Sequence, residues 1–176
     1  RIDCSSHFGV ARDLAAFYNL RRPVRAKLPE IAGFSKDRDR GVINVTVEAP
    51  DACIRYSGLT VRGIKVGPSP AWLQTRLRAI GLNPINNVVD ITNFVLHETG
   101  QPLHAFDASA IIGDTVRVRH LPDKTKFVTL DGVERTLSSS DLMICNRDEG
   151  MCIAGVFGGL RSGVTEATTD LFLESA

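Results

Sequence analysis

The sequence predicts an α+β fold in which layered, sandwich-like β-sheets carry a pair of helices packed on one side. Strand-like alternation lies on both sides of a central stretch with helical periodicity, and no segment repeats at a fixed period. The chain has 176 residues, 43% of them hydrophobic, with 21 Lys and Arg against 20 Asp and Glu. This composition excludes an intrinsically disordered chain and fits one ordinary domain with an appendage.

Three helices are predicted from capping residues and apolar spacing. Ser5 or Ser6 caps a first helix that runs to about residue 20. Ser69 as cap, followed by Pro70 at the first helical position, begins a second helix. Asn86 or Asn87 begins a third helix, which ends before a glycine at position 100.

The strands are predicted from residues that alternate between apolar and polar. Asp131-Gly132 lies between two such runs and predicts a hairpin turn, because both residues tolerate a positive φ. The predicted strands cover residues 43–48, 55–66, 115–120, 126–130, 133–137, 142–145, 151–155 and 170–173.

Several classes of protein are excluded by what the sequence lacks. No apolar run approaches the roughly 20 residues of a membrane-spanning helix, so we expect no membrane association. The four cysteines form no Cys-x-x-Cys pair, which favours reduced thiols in a cytoplasmic protein and predicts no metal site. Phosphate-binding loops, nucleophile elbows and zinc-protease motifs are absent. A formal net charge of +1 excludes nucleic-acid binding by bulk electrostatics alone.

Three polar features stand out from their apolar surroundings. Asn86, Asp90 and Asn93 follow one another at helical spacing, a pattern typical of a solvated or capping face. His104 lies between apolar neighbours, where a structural, hydrogen-bonded histidine is the more common finding. Glu174 interrupts an apolar strand; it is either an outward-facing carboxylate or one that needs a hydrogen-bond donor in a pocket.

These segments resemble a known family. Residues 84–95, 100–107, 129–132, 154–159 and 173–176 are similar to motifs of the B3/B4 domain of bacterial phenylalanyl-tRNA synthetase β subunits, as are residues 55–58 and 66–70. Residues 1–15 resemble the preceding B1 segment of that family. The resemblance thus implies three parts: the C-terminal piece of a B1 domain at 1–22, a linker at 23–41 and a B3/B4 editing domain at 42–176.

The resemblance implies a hydrolytic function in protein biosynthesis. In this family the B3/B4 domain removes tyrosine that has been mischarged onto the tRNA for phenylalanine, while the whole ATP- and magnesium-dependent ligase performs aminoacylation. The expected partners are the acceptor end of that tRNA and an α subunit in an (αβ)₂ heterotetramer. The chain itself is expected to need no cofactor and to act in the cytoplasm.

The family's site residues fall on five positions of this sequence. Glu174 would bind the tyrosine hydroxyl, and Gly155 would make room for the ring and add a backbone contact. His104, Thr92 and Asn93 would line the site near the aminoacyl ester and the terminal adenosine. Because no covalent nucleophile is evident, the hypothesis is attack by water that His104 orients or polarises.

Two departures from the family pattern affect these expectations. Asn83 stands where many members have Arg, which puts one contact to the tRNA end in question. The family pocket also uses a Thr-x-Ala segment that follows the strand of Glu174, so the chain is expected to be a fragment that ends within the editing domain.

The alternative function is a non-catalytic structural and tRNA-contacting module of the same synthetase. Its candidate RNA contacts are Arg76, Arg78, Arg117, Arg119 and Arg161, each of which is equally explained as a solvated surface side chain. The two functions differ in the position expected for Glu174. Convergence of Glu174, His104 and Gly155 favours editing, whereas a solvent-facing Glu174 favours the structural module.

Overall fold

The computed structural model describes residues 2–39 and 43–175. They confirm the α+β class, with three α-helices and strands in several sheets. The chain divides into two compact units, one of residues 1–40 and 68–103 and the other of residues 41–67 and 104–176. The boundary predicted between residues 41 and 42 lies outside the described residues, and the family-based domain limits stay a prediction.

The first unit contains the three predicted helices. Helix α1 spans His7–Tyr18, and the Ser6 hydroxyl caps it by accepting a hydrogen bond from the Gly9 amide at 3.0 Å. Residues 23–39 form no helix or strand, and the linker assigned to residues 23–41 stays a prediction. No helix in the described part of the chain has the length and apolar character needed to cross a membrane.

Helices α2 and α3 span Ala71–Ala79 and Asn87–Thr99. Asn86 caps α3, since its side-chain oxygen accepts hydrogen bonds from the two amides of Val88 and Val89. The prediction that Ser69 caps α2 is wrong: Pro70 is the cap residue, and the buried Ser69 hydroxyl donates to Asp90 instead. A hydroxyl that is buried beside a carboxylate satisfies that acceptor rather than the helix end.

The described residues of the second unit form three sheets. Strands β1, β4, β7, β8 and β9 form a five-stranded sheet in that order, with β1 parallel to β4 and the other pairs antiparallel. Strands β2, β10 and β3 form an antiparallel three-stranded sheet, and β5 pairs with β6. The strands are β1 Asn44–Val47, β2 Ser57–Arg62, β3 His104–Asp107, β4 Thr115–His120, β5 Lys126–Val128, β6 Glu134–Thr136, β7 Leu142–Cys145, β8 Gly150–Ile153, β9 Phe157–Gly158 and β10 Asp170–Ser175.

The core of the second unit joins the two larger sheets. Phe106 of β3 and Phe172 of β10 are fully buried with Val116 of β4 and Ile144 of β7. Phe172 lies opposite Phe106 in the strand register, so two aromatic rings share the inner face of the three-stranded sheet. The same strand pair continues by two residues into the candidate site.

The predicted hairpin at Asp131-Gly132 is confirmed between β5 and β6. Gly132 adopts the left-handed conformation at φ +76°, and its amide donates to the Thr129 carbonyl. Asp131 does not have a positive φ, and its carboxylate stabilises the turn by accepting from the Thr129 hydroxyl and the Val133 amide. Strands β3 and β9 were not predicted, as their motifs were interpreted for chemistry rather than for alternation.

Candidate functional site

The central strand β10 brings two predicted site residues together. In the antiparallel register Glu174 pairs with His104 of β3 on one side and with Gly58 of β2 on the other. Directly paired residues of antiparallel strands project from the same face of the sheet. The Glu174 carboxylate and the His104 imidazole therefore share the face that also carries the core rings.

Glu174 is buried, at 9% exposure, without a cationic partner among the described residues. One oxygen, Oε2, accepts a hydrogen bond from the Tyr56 hydroxyl at 2.9 Å. The other oxygen, Oε1, accepts none from the part of the chain that the structure describes. Burial raises the pKa of this carboxyl to about 7, although the Tyr56 hydrogen bond opposes the rise. The site thus contains a largely buried carboxylate with one oxygen that is hydrogen-bonded and one that is open to a further donor.

Tyr56 lies just before β2, and the ring that carries its hydroxyl is fixed by packing. Its ring is stacked on Phe172, with centroids 6.5 Å apart and planes inclined by 12°. Burial and the neighbouring Glu174 charge raise the pKa of the phenol above its ordinary value. The phenol consequently keeps its proton and acts as the donor in this hydrogen bond.

A third ionisable group, Cys152 of β8, borders the carboxylate. Burial and the negative charge of Glu174 raise the pKa of this thiol to about 12. The thiol therefore stays protonated near neutral pH, and it donates to the Ile153 carbonyl at 3.3 Å. A protonated, hydrogen-bonded thiol of this kind is a packing group rather than a nucleophile.

His104 is half-buried and held by ring contacts rather than by polar ones. Its ring meets Phe106 edge to face, with centroids 4.5 Å apart. Neither ring nitrogen has a hydrogen-bond partner among the residues described. Burial lowers the pKa of the imidazole, so it is neutral at physiological pH and offers one N–H donor and one free acceptor nitrogen.

The glycine-rich segment packs against His104 through Gly158. A Cβ added to Gly158 would lie 3.0 Å from Cε1 of the His104 ring and 2.9 Å from Cδ1 of Leu130. The Leu130 amide donates to the Gly158 carbonyl at 2.9 Å, and Thr129 forms an isolated bridge with Gly159. The hairpin turn, the glycine-rich segment and β3 therefore meet at the imidazole.

Gly155 lies at the turn before this contact. It is exposed, adopts φ +68° and has open space where a Cβ would stand. Its backbone conformation explains the glycine without any ligand, because other residues rarely adopt it. Its expected part in binding the tyrosine ring stays a prediction.

Thr92 and Asn93 belong to the first unit, on helix α3. The buried Thr92 hydroxyl donates to the Val89 carbonyl of the preceding turn at 2.8 Å. Asn93 is half-buried, and its side chain has no hydrogen-bond partner among the described residues. Their expected contacts near the ester stay predictions.

The rest of the polar stripe on α3 is structural. Asn86 caps the helix, while the buried Asp90 accepts from the Ser69 hydroxyl at 2.5 Å and from the Ile85 amide at 2.8 Å. Asp90 thereby fixes the segment that enters α2 and the turn that precedes α3. The capping interpretation of this stripe is confirmed for Asn86, whereas it is wrong for Asp90, which is buried and accepts from groups outside the helix.

The arginines of the alternative function are mostly engaged on the protein surface. Arg117 pairs with Glu48 and Arg161 with Glu149, whereas Arg78 donates to Gln74. Arg76 lies over the rings of Trp72 and Phe94 in the first unit. Ion pairs and ring contacts account for these four side chains without a nucleic acid.

Potential metal ligands come together once among the residues described. Asp3, Cys4 and Asp13 of the first unit place one ligand atom each within 4.8 Å of one another, and the Cys4 thiol donates to Asp13. Both carboxylates are exposed, and exposed acidic groups of this kind are common without an ion. The expectation that the chain has no metal site stays a prediction.

Sequence reasoning missed two residues of the site. Tyr56 was interpreted only as a strand position, and Gly158 only as part of a glycine-rich motif. Their signal lay in the residues 55–58 and 154–159, which the resemblance already singled out. Without the strand register, nothing in the sequence connects residue 56 with residue 174.

Comparisons with known proteins agree with the motifs. A model of the B3/4 domain matches residues 52–176. The chain is 58% identical over 178 residues to the phenylalanine–tRNA ligase β subunit of Bacteroides fragilis, and 59% identical over 180 residues to that of Porphyromonas gingivalis. Each match covers 100% of this chain and 22% of the relative. The chain thus spans about a fifth of the length of these curated relatives, and the resemblance stated from its motifs is confirmed.

A solved structure supports the fold. The crystal structure of an N-terminal fragment of the phenylalanyl-tRNA synthetase β subunit from Pyrococcus horikoshii matches with a TM-score of 0.59 and 14% identity. The match covers 99% of this chain and 52% of that one. At this identity the likeness bears on the fold alone, and it agrees with the expected B3/B4-type fold.

Proposed function

Because the chain belongs to the B3/4 domain family, we propose that its domain at residues 42–176 hydrolyses tyrosine mischarged onto the tRNA for phenylalanine. The observation that carries this proposal is Glu174, a buried carboxylate with one unpaired oxygen beside a neutral imidazole. An outward-facing Glu174 was the mark of a purely structural module, and its burial counts against that alternative.

Recognition rests on the difference of one hydroxyl between tyrosine and phenylalanine. A pocket shaped for an apolar ring rejects a hydroxylated isostere by only about 100-fold. A pocket built to bond the hydroxyl rejects the analogue that lacks it by roughly 10⁴ or more, because the buried polar group is then left unpaired. In the proposed role, Oε1 of Glu174 is the acceptor for the tyrosine hydroxyl.

The proposed hydrolysis proceeds by attack of water on the aminoacyl ester. His104 is neutral, so it can orient this water or polarise the ester through whichever ring nitrogen faces it. The protonated Cys152 thiol is a poor nucleophile, which supports direct attack by water over a covalent route. Glu174 serves recognition and His104 serves orientation in this scheme.

The remaining site residues take secondary roles in the proposal. Gly155 gives room to the ring and a backbone contact, and Thr92 and Asn93 line the site toward the ester and the terminal adenosine. Asn83, where many relatives have Arg, makes a weaker contact to the tRNA end than arginine does. These assignments come from the family resemblance and are open to test one residue at a time.

The proposed partners follow from the same assignment. The chain meets the acceptor end of the tRNA, while other parts of a synthetase hold its body, so a net charge of +1 is sufficient. A β subunit of this kind acts with an α subunit, in an (αβ)₂ assembly in the cytoplasm. ATP and magnesium belong to aminoacylation by the whole ligase and are assigned to no residue of this chain.

The test is release of labelled tyrosine from mischarged tRNA by the complete β subunit purified with its α subunit. Glu174→Ala is expected to slow release about 100-fold, and His104→Ala about tenfold, because recognition and orientation are lost separately. The exposed Glu166→Ala and His120→Ala serve as matched controls with unchanged rates. Unchanged tyrosine release in both site variants would contradict the proposal.

A further inference from the structure

We propose that Tyr56 is a positioning residue of the hydroxyl-recognising site, which holds Oε2 of Glu174 and leaves Oε1 as the one acceptor for the substrate. This inference rests on the proposed function. It assigns a role to a residue that lies far from Glu174 in sequence and that reaches it only through the fold of the second unit.

The first step is geometric. A carboxylate has two oxygens and about four lone-pair sites, so an unrestrained glutamate offers a phenol several orientations. The Tyr56 hydroxyl occupies Oε2 at 2.9 Å, and the Phe172 ring stacked at 6.5 Å fixes the ring that carries this hydroxyl. The carboxylate of Glu174 is therefore fixed through Oε2, and Oε1 is the oxygen left to accept a hydrogen bond.

The second step concerns the partners that are missing. The side chains that face Glu174 are the Tyr56 phenol, the His104 imidazole of β3 and the Cys152 thiol of β8, while β2 contributes Gly58 opposite. His104 is neutral and Cys152 is protonated, so neither supplies a positive charge. Among the described residues, the Tyr56 hydrogen bond is the interaction that favours the ionised, accepting form of Glu174.

The third step is chemical. Tyr56 donates the same phenolic O–H that distinguishes a tyrosyl from a phenylalanyl ester. The carboxylate already binds one phenol in an environment suited to that group, and the substrate adds a second phenol on the other oxygen. A phenylalanyl ester leaves Oε1 without this second hydrogen bond, which sharpens the discrimination.

The test is Tyr56→Phe in the complete β subunit purified with its α subunit. The variant keeps the ring stack and removes only the hydroxyl. We expect kcat/KM for tyrosyl-tRNA deacylation at pH 7 to fall about tenfold, the size of one hydrogen bond to a charged group. Tyr18→Phe, at the other tyrosine of this chain, is the matched control with an unchanged rate, because Tyr18 is exposed.

The pH profile separates positioning from a merely structural role. If recognition needs ionised Glu174, kcat/KM rises with pH through a midpoint near 7 in the wild type. Removing the Tyr56 hydroxyl moves this midpoint to higher pH, whereas simple destabilisation lowers the rate at every pH without moving it. 3-Fluorotyrosine at position 56, a stronger donor with the same ring, moves the midpoint to lower pH and replaces the phenylalanine variant if that one fails to fold.

Each result has one meaning. A Tyr56→Phe profile that matches wild type in rate and midpoint overturns the positioning role, and so does a uniform fall with an unmoved midpoint. Glu174→Ala is measured alongside. If that variant still releases tyrosine normally, the proposed function fails; if it is inactive while Tyr56→Phe is normal, only the positioning role fails.

Discussion

Each of the two units contains a buried carboxylate among its described residues, and the two carboxylates differ in how many of their oxygens accept hydrogen bonds. Asp90 of the first unit is 1% exposed, and its two oxygens accept from the Ser69 hydroxyl and the Ile85 amide. Glu174 of the second unit is 9% exposed, and only one of its oxygens is engaged. Asp90 organises local backbone, whereas Glu174 leaves one oxygen without a hydrogen-bond donor among the described residues.

This difference shows that burial by itself does not identify a functional carboxylate. A buried acceptor whose hydrogen bonds are complete stabilises the fold, and its removal is felt as lost stability. A buried acceptor left half satisfied costs stability, and such groups concentrate at sites that bind something else. The four predictions that follow test this contrast, beginning with the largest expected effect.

The largest effect is expected at the satisfied carboxylate. Asp90→Ala leaves the buried Ser69 hydroxyl and the Ile85 amide without their acceptor, which costs about 3 kcal/mol of unfolding free energy. Chemical denaturation of the 176-residue chain measures this loss, with the exposed Asp37→Ala as control. A loss below about 1 kcal/mol would show that Asp90 does not organise the first unit.

The next effect is a pH dependence at the half-satisfied carboxylate. Its folded-state pKa of about 7 lies above the ordinary 4.5, so the folded chain binds this proton more tightly than the unfolded chain. The added stability is complete below about pH 4.5 and is lost as the pH rises through 7. Between pH 5 and 8 the wild type should therefore lose about 2.5 kcal/mol more unfolding free energy than Glu174→Gln does.

This comparison cancels the opposite contribution of His104. The pKa of the imidazole is lowered in the folded state, so its contribution to stability falls in acid in both proteins alike. Denaturation curves at the two pH values give the difference directly. Parallel pH dependence in the wild type and Glu174→Gln would contradict the raised pKa of the Glu174 carboxyl.

A smaller effect is expected where the glycine-rich segment meets the imidazole. Gly158→Ala introduces a methyl group within 3.0 Å of His104 and Leu130, and crowding of this kind costs about 1.5 kcal/mol. The rate of tyrosine release should also fall, because the added methyl group displaces the His104 ring from its position. Gly67→Ala, which meets open space, is the control. Equal stability and activity of the two variants would remove Gly158 from the site.

The smallest change in stability is expected at Thr92. Thr92→Val removes a hydroxyl bonded only to its own helix, which alters the unfolding free energy by about 0.5 kcal/mol or less. Thr75→Val, which removes the same kind of bond from α2, is the matched control. If Thr92 lines the site, its variant alone slows tyrosine release severalfold. Equal release by both variants would leave the first unit without a recognition role for this threonine.

Local features of the fold were predictable from the sequence. The start of α3 and the turn at Asp131-Gly132 each depend on a few neighbouring residues. Asn86 is one of the two caps predicted for α3, and the turn forms where it was predicted, with a positive φ at Gly132 alone. Ser69 was assigned wrongly because its partner, Asp90, lies a full helix further along the chain. Local capping rules cannot foresee a competing acceptor of this kind.

The site was predictable only in part for the same reason. Glu174 and His104 were identified through motifs, but their pairing follows from the register of β10 against β3, which the sequence does not encode locally. Tyr56 escaped because its hydrogen bond joins residues 118 positions apart. The hydrogen-bond partners of a buried polar group are supplied by strands that lie far away in the sequence. A short motif therefore does not reveal them.

The most direct test of the account is the ratio of kcat/KM for tyrosyl and phenylalanyl esters of the same tRNA. It should be measured in the complete β subunit with its α subunit, in the wild type and in Glu174→Ala. The account predicts a large preference for the tyrosyl ester in the wild type. In the variant this preference falls by about 100-fold while the slow phenylalanyl rate is unchanged. A preference that survives in Glu174→Ala would contradict the assignment of Glu174 as the hydroxyl acceptor.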